Sequence, residues 1–220
     1  MLPTHIINPF NVRGVDMMKI YYAPNTRAVR IVWLCKELGL DYELYRFDSI
    51  ADTRLREPDY LNLHPLGRVP CLMDGDIRIF ESGAIIQYIL ARYGNGQLVP
   101  EPDTENFSTY LQWFHYAEGM LMPPVNTLVV ETKILPRDKS NPVNIARATK
   151  LLGRILAVVE NGLGDKNYLV GEFSAADIMC GHACIVAGRL GEGTADMPAI
   201  NSYIERLQSR PALAASWDVT

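Results

Sequence analysis

Residues 69–85 read VPCLMDGDIRIFESGAI, and the topology of the first half of the chain depends on this segment. Two short apolar runs, CLM and IRIF, flank a turn at residues 74–76, a pattern that predicts a β-hairpin. The bond between Val69 and Pro70, beside a Gly-containing turn, is a candidate for the cis form. Ser82 follows the hairpin, where we expect it to cap a largely apolar helix.

The sequence before this hairpin predicts a β-α-β unit. Residues 18–23 form a β-rich run, and residues 42–47 alternate between apolar and polar positions as a second strand does. Between them, apolar residues from 26 to 38 recur at helical spacing, and Gly39 supplies a stop. Two strands joined by a helix are usually parallel, so we expect an α/β domain over residues 18–94.

The second half of the chain predicts helices and no strand. Residues 95–103 contain a glycine, two prolines and polar residues, and they are the best candidate for a linker. Beyond it the apolar spacing predicts helices at residues 104–122, 142–163, 174–188 and 198–208. The first of these should stop at Pro123-Pro124. The expected fold class is therefore α/β plus all-α, with a helical domain over residues 104–220.

The helix predicted at residues 174–188 begins with a capping signal. Ser174 stands at its N-cap and Asp177 follows three residues later. In this arrangement each side chain accepts a hydrogen bond from the backbone amide of the other residue. We therefore expect Asp177 to stabilise the helix rather than to take part in catalysis.

Composition excludes several functional classes. The 21 Lys and Arg residues against 25 Asp and Glu give a net charge of −4, which argues against a nucleic-acid binder with a general basic surface. The four cysteines include no CxxC pair, so we expect neither a metal site nor a disulfide framework. We therefore expect the protein to work in a reducing cytoplasm. No segment predicts a membrane span. Residues 1–17 predict an irregular extension without the features of a signal peptide.

Glu81 and Ser82 are placed where a small charged ligand could bind. The first amides of a helix are unpaired and its dipole end is positive, so Ser82 at such a position could hold a carboxylate. Glu81 beside it could hold an ammonium group, and the pair suits the zwitterionic end of an amino acid. A Glu-Ser pair at a helix start is also a common cap, and this alternative stays open.

Three segments of the first half together resemble the N-terminal, thioredoxin-like domain of the cytosolic glutathione S-transferase family, bacterial type. They are KIYYAPNTRAVRIVWLCKELGLDYE, NLHPLGRVPCLMDGD and FESGAIIQYILARYG. The second half resembles the helical domain of that family in YLQWFHYAEGMLMPP and YLVGEFSAADI. The resemblance implies that Glu81 and Ser82 hold the γ-glutamyl amine and carboxylate of glutathione.

The resemblance also assigns four neighbouring residues to the glutathione site. Val69 would pair its backbone with the cysteinyl part of glutathione, and Pro70 would be the cis proline. Arg56 and Arg68 fall where the family often places a polar or basic side chain against the glycyl end.

Catalysis in this family requires the glutathione thiolate, because a thiol with a pKa near 8.5 is a weak nucleophile. A hydrogen bond to the sulfur, at a helix N-terminus, lowers that pKa. Members usually place Tyr, Ser or Cys just after the first strand, whereas residues 22–27 here read YAPNTR. Asn25 and Thr26 are the available short donors and resemble bacterial members, but either could be only the N-cap. Period-2 alternation does not decide where the Tyr22 hydroxyl points.

The resemblance implies a glutathione S-transferase that conjugates the thiolate of its co-substrate to small hydrophobic electrophiles, as in detoxification. It also implies a cytoplasmic homodimer without a metal. The electrophile would lie against the aromatic helix, with Tyr110, Trp113 and His115 as candidate contacts. Two alternatives stay open: a glutathione-dependent disulfide or peroxide reductase, and a non-catalytic binding or scaffold protein with the same fold.

Overall fold

The computed structural model describes residues 17–191, 194–217 and 219. The extension predicted at residues 1–17 therefore lies outside the described residues, apart from Met17. None of the helices in the described ranges combines the length and the apolar character that crossing a bilayer requires.

The described residues divide into two compact units. The first runs from residue 17 to Ile89 and includes the described residues from Ala215 onward, and the second is Leu90–Ala214. The linker predicted at residues 95–103 falls within the second unit and stays a prediction.

A four-stranded sheet with the order β2-β1-β3-β4 forms the centre of the first unit. The strands are β1 (Lys19–Tyr22), β2 (Glu43–Arg46), β3 (Cys71–Asp74) and β4 (Ile77–Phe80). β1 and β2 pair in parallel, and β3 pairs antiparallel with both β1 and β4. These pairings confirm the predicted β-α-β unit and hairpin. Gly75 adopts φ of 58° in the hairpin turn, a conformation that glycine reaches without steric cost.

Helices and an aromatic cluster complete the first unit. Its helices are α1 (Ala28–Leu38), a 3₁₀ helix (Thr53–Arg56), α2 (Pro58–Leu63) and most of α3 (Ser82–Tyr93). Helix α1 packs against β1 and ends at Gly39, whose left-handed φ of 65° lets its amide bond back to the last turn. Tyr21, Phe47 and Tyr60 are fully buried in one cluster with residues of α2 and β3. This cluster fixes the 3₁₀ helix and α2 against the sheet.

The second unit is helical. Its helices are α4 (Glu105–Tyr116), α5 (Met122–Val129), α6 (Pro142–Leu163), α7 (Ala175–Arg189), α8 (Pro198–Gln208) and α9 (Pro211–Ala214). Helices α6 and α8 have the predicted bounds, whereas α9 lies in a segment for which no helix is predicted. Within the described residues of this unit, the extended pairing is one isolated bridge between Val170 and Glu172.

The prediction that Pro123-Pro124 stops the first helix of this unit is wrong. A π-helical turn, Ala117–Leu121, joins α4 directly to α5, so both prolines lie in the first turn after it. The amide of Met122 bonds to the carbonyl of Ala117, which shifts the hydrogen-bond register just before the prolines. A proline is tolerated in a first turn because its missing N–H leaves no regular helical bond unmade.

The predicted capping box at the start of α7 is present. The carboxylate of Asp177 accepts the Ser174 amide at 2.9 Å and the Ser174 hydroxyl at 3.1 Å. It also accepts the Leu169 amide at 3.0 Å and the Tyr203 hydroxyl at 2.9 Å. Asp177 is fully buried, and it ties the start of α7 to the preceding loop and to α8. Its structural role is therefore wider than that of a cap.

Replacing Asp177 with alanine should lower the free energy of unfolding by about 2–4 kcal/mol, because four donor groups lose a buried acceptor. Chemical denaturation measures this loss. Asp165→Ala, at an exposed position of the same unit, is the control and should change stability by less than about 0.5 kcal/mol. A loss at Asp177 no larger than that of the control would contradict the structural assignment.

Candidate functional site

The loops that carry the predicted site residues meet at one edge of the sheet. Cys71, the first residue of β3, pairs with Tyr21 near the end of β1 and with Phe80 at the end of β4. Because β3 is antiparallel to both neighbours, the end of β1, the start of β3 and the end of β4 lie side by side. All the predicted glutathione-binding and catalytic residues except Arg56 belong to the segments that leave the sheet at this edge.

Val69 offers an unpaired stretch of backbone at this edge. The peptide bond between Val69 and Pro70 is cis, as predicted. Val69 is half-buried, and across residues 17–191 and 194–217 neither its N–H nor its C=O has a hydrogen-bond partner. These two groups can pair with the backbone of an extended peptide, as an added strand does.

Arg56 and Tyr60 hold the loop that precedes the cis peptide bond. The Arg56 guanidinium donates to the carbonyls of Leu66 at 2.9 Å and Gly67 at 2.7 Å. The Tyr60 hydroxyl donates to the carbonyl of Arg68 at 2.6 Å. Arg56 thus has a structural contact that its sequence position does not predict. Its contact with a glycyl carboxylate stays a prediction, as does that of the exposed Arg68.

His64 is a buried residue of the same loop that sequence reasoning missed. Its ring centroid lies 4.7 Å from that of Phe80, and its Nδ1 accepts the Leu66 amide at 3.3 Å. Burial lowers the pKa of His64, and the nearby Glu81 and Arg68 act on it in opposite directions. The lowered pKa favours the neutral imidazole, and the contact of Nδ1 with the Leu66 amide places its hydrogen on Nε2.

Glu81 and Ser82 form the turn from β4 into α3. Glu81 has φ of 75°, in the left-handed region that non-glycine residues rarely occupy. Its carbonyl accepts the Ile85 amide at 2.9 Å, so Glu81 takes the N-cap position and Ser82 is the first helical residue. The expectation that Ser82 itself is the cap is therefore wrong by one position. Ser82 is 3% exposed and lies at the positive end of α3.

Arg30 is a residue of this site that sequence reasoning also missed. Its side chain is fully buried in α1, and its Nη1 donates to the Ser82 hydroxyl oxygen at 3.1 Å. Among the described residues, this is the one hydrogen bond that the Ser82 side chain makes. The available signal was a single arginine inside the apolar run AVRIVWL at residues 28–34.

The two candidate donors after β1 differ in what their side chains bind. The Thr26 hydroxyl donates to the Ala23 carbonyl at 2.6 Å and accepts the Ala28 amide at 3.2 Å. Its one hydrogen is therefore already used, and its oxygen serves the start of α1. Asn25 is exposed with φ of 58°, and within the part of the chain that the structure describes its side-chain amide has no partner.

The hydroxyl of Tyr22 points into the first unit. It lies 3.1 Å from the carbonyl oxygen of Ser216 and 2.8 Å from that of Trp217. The Tyr22 side chain is fully buried. The tyrosine at the end of β1 therefore anchors the described C-terminal segment of this unit.

The cysteines of the chain offer no nucleophile. All four are buried, and burial raises the pKa of the Cys35, Cys71 and Cys184 thiols to about 12. A thiol with such a pKa stays protonated and unreactive at neutral pH. Among the residues that the structure describes, no three His, Cys, Asp or Glu side chains are grouped to hold a metal ion.

The aromatic residues of α4 mostly belong to the core of the second unit. Tyr110 is 3% exposed and Trp113 is 4% exposed, and the Trp113 indole packs against Gly162. Contact of these two residues with an electrophile stays a prediction. His115 is exposed on the same helix.

Comparisons with known proteins identify the family. The family model for the glutathione S-transferase N-terminal domain matches residues 17–91. Glutathione S-transferase 3 of Schizosaccharomyces pombe is 30% identical over 172 residues, covering 73% of this chain and 70% of the relative. Glutathione S-transferase 4 of Zea mays is 30% identical over 207 residues, covering 89% of each. The chain belongs to the glutathione S-transferase family. Its bacterial type stays a prediction.

The fold of this glutathione S-transferase family member matches that of solved structures. The glutathione transferase URE2P6 of Phanerochaete chrysosporium, in complex with oxidized glutathione, is 28% identical with a TM-score of 0.81. The match covers 92% of this chain and 95% of that one. It confirms the predicted thioredoxin-like α/β region followed by a helical region.

The contact between Arg56 and the loop predicts a sharp difference between two glycines. Gly67 and Gly75 both have positive φ, 54° and 58°, so alanine is strained at either position. A Cβ at Gly67 would in addition overlap the Arg56 guanidinium and the Leu55 carbonyl, whereas one at Gly75 meets nothing within 4 Å. Gly67→Ala should therefore cost at least about 2 kcal/mol more than Gly75→Ala in chemical denaturation. Equal costs would show that the loop before Val69 is not closely packed.

Proposed function

We propose that this protein is an enzyme that conjugates the thiolate of glutathione to small hydrophobic electrophiles. Membership of the glutathione S-transferase family and the likeness to a structure solved with oxidized glutathione support the proposal. The observation that carries it is the convergence of Asn25, Val69, Glu81 and Ser82 at one edge of the sheet. Cytoplasmic location and assembly as a homodimer are parts of the same proposal.

Each part of this edge suits one part of glutathione. The hydroxyl of Ser82 and the first amides of α3 would bind the γ-glutamyl carboxylate, and Glu81 would bind the γ-glutamyl amine. The N–H and C=O of Val69 would pair with the cysteinyl backbone. Arg56 and Arg68 would face the glycyl carboxylate at the far end of an extended tripeptide.

The reaction needs the glutathione sulfur as thiolate at the start of α1. We assign the side-chain amide of Asn25 as its donor, because the Thr26 hydroxyl already donates to Ala23. A donated hydrogen bond and the positive end of α1 lower the pKa of the bound thiol, whose proton leaves to solvent. The thiolate then attacks the electrophilic carbon. A carbon–sulfur bond forms, and the leaving group departs with the electron pair of the bond that breaks.

Calorimetric titration with glutathione, followed by turnover of two substrate classes, tests the proposal against its alternatives. We expect binding at millimolar ligand or below and turnover of aryl halides. Much faster turnover of 2-hydroxyethyl disulfide than of aryl halides would favour the reductase. No detectable binding at millimolar glutathione would exclude both enzymes and favour the remaining alternative, a non-catalytic binding or scaffold protein.

Replacing Ser82 with alanine should weaken glutathione binding by about 1–3 kcal/mol, because a buried carboxylate loses a hydrogen-bond donor. Calorimetry measures the affinity, and thermal unfolding monitors the fold. Ser108→Ala, at an exposed serine in the first half of α4, is the control and should leave affinity unchanged. Equal affinities of the Ser82 variant and the parent would remove this residue from the site.

Replacing Asn25 with alanine should raise the pKa of the bound glutathione thiol, read from thiolate absorbance against pH. Asn95→Ala is a matched control, because Asn95 is also exposed and also has a positive φ, 47°. Thr26→Ala should reduce stability more than it changes the thiol pKa, since the Thr26 oxygen serves the start of α1. A larger pKa change in Thr26→Ala than in Asn25→Ala would reverse the assignment.

A further inference from the structure

The contact between Arg30 and Ser82 determines how the Ser82 hydroxyl can act. A guanidinium carries only hydrogen-bond donors, so in the 3.1 Å contact the Ser82 oxygen must accept. Its hydroxyl hydrogen is therefore directed away from Arg30. Arg30 thus occupies one of the two acceptor positions of the Ser82 oxygen, which favours donation by the hydroxyl to a ligand.

Within the described residues, the Ser82 hydroxyl hydrogen has no acceptor. Ser82 is only 3% exposed, so little solvent reaches the hydroxyl. A buried donor without an acceptor is costly, and a ligand oxygen at the start of α3 would remove this cost. An ammonium group in the same place would instead face the hydroxyl hydrogen and the positive end of the helix.

The charge of Arg30 acts in the same direction. An arginine side chain remains protonated in proteins, and this one is fully buried, where its field is weakly screened by water. The positive charge lies one hydroxyl group away from the position of a ligand bound at Ser82. It therefore adds to the preference for an anion over a cation.

We propose that Arg30 is a positioning residue that acts through Ser82 and makes this end of the site selective for the ligand carboxylate. The inference rests on the proposed function, because it takes the γ-glutamyl group of glutathione as the ligand at Ser82. Arg30, on α1, would thus contribute to recognition of that carboxylate without itself touching the ligand.

Two analogues of glutathione separate this role from a structural one. In the first, a glutaryl group replaces the γ-glutamyl group, so the carboxylate stays and the amine is absent. In the second, a 4-aminobutyryl group replaces it, so the amine stays and the carboxylate is absent. Calorimetry on the parent gives the affinities for glutathione and both analogues. Failure of the parent to bind any of them would contradict the proposed function itself.

Arg30→Met should weaken binding of glutathione and of the glutaryl analogue about 10-fold or more. It should change affinity for the 4-aminobutyryl analogue less than 3-fold. Arg30→Lys, which keeps the charge and N–H donors, should restore part of the lost selectivity. Arg46→Met removes an equal charge from the sheet of the same unit and should leave the ratio of the two analogue affinities unchanged. If Arg30→Met does not fold, Arg30→Gln replaces it, with the same expected direction.

Combining Arg30→Met with Ser82→Ala tests whether Arg30 affects the ligand through Ser82. If Arg30 acts through Ser82, then Arg30→Met in the Ser82→Ala background should change the affinity for the glutaryl analogue less than 3-fold. The same loss in both backgrounds would overturn the route through Ser82. An equal loss for all three ligands would mean that Arg30 only maintains the fold. An unchanged ratio of analogue affinities in a folded Arg30 variant would overturn the inference while leaving glutathione binding intact.

Discussion

The antiparallel pairing of Cys71 with Tyr21 on one side and Phe80 on the other is the constraint on which the candidate site depends. It brings together three chain segments, the outermost of which, at Asn25 and Ser82, are 57 residues apart. The hydrogen-bond register of a strand pair leaves little freedom, because a slip of one residue would turn every side chain to the opposite face. A strand order fixed in this way therefore places a backbone segment and two helix starts side by side at one edge of the sheet.

Buried polar contacts then decide what each of these segments can do. Arg30 uses an acceptor position of Ser82, and Thr26 gives its hydroxyl hydrogen to Ala23. A buried donor or acceptor that is already paired is no longer available to a ligand unless the bond breaks. The same reasoning separates Asn25 from Thr26. In the second unit, Asp177 shows a fully buried carboxylate whose four hydrogen bonds all serve the fold.

Much of the fold was predictable because its signals are local. The hairpin around Gly75, the bounds of α6 and the capping box of Ser174 each follow from residues within one turn or one helix. The proline pair shows the limit of such reasoning. Whether Pro123 stops a helix depends on the hydrogen-bond register of the turn before it, and a π-helical turn there is set by packing rather than by composition.

The candidate site divides in the same way. By itself, the sequence determined the segments that carry the site, because turn residues, strand alternation and the Glu81-Ser82 helix start are written in short stretches of chain. Only the tertiary structure decided what lies beside them. Arg30 is 52 residues from Ser82 along the chain, and the Tyr22 hydroxyl bonds to Trp217 across 195 residues. Such contacts depend on how strands and helices pack, because a buried polar group needs a hydrogen-bond partner and packing brings that partner from a distant part of the chain. No periodic pattern in the sequence indicates these pairs.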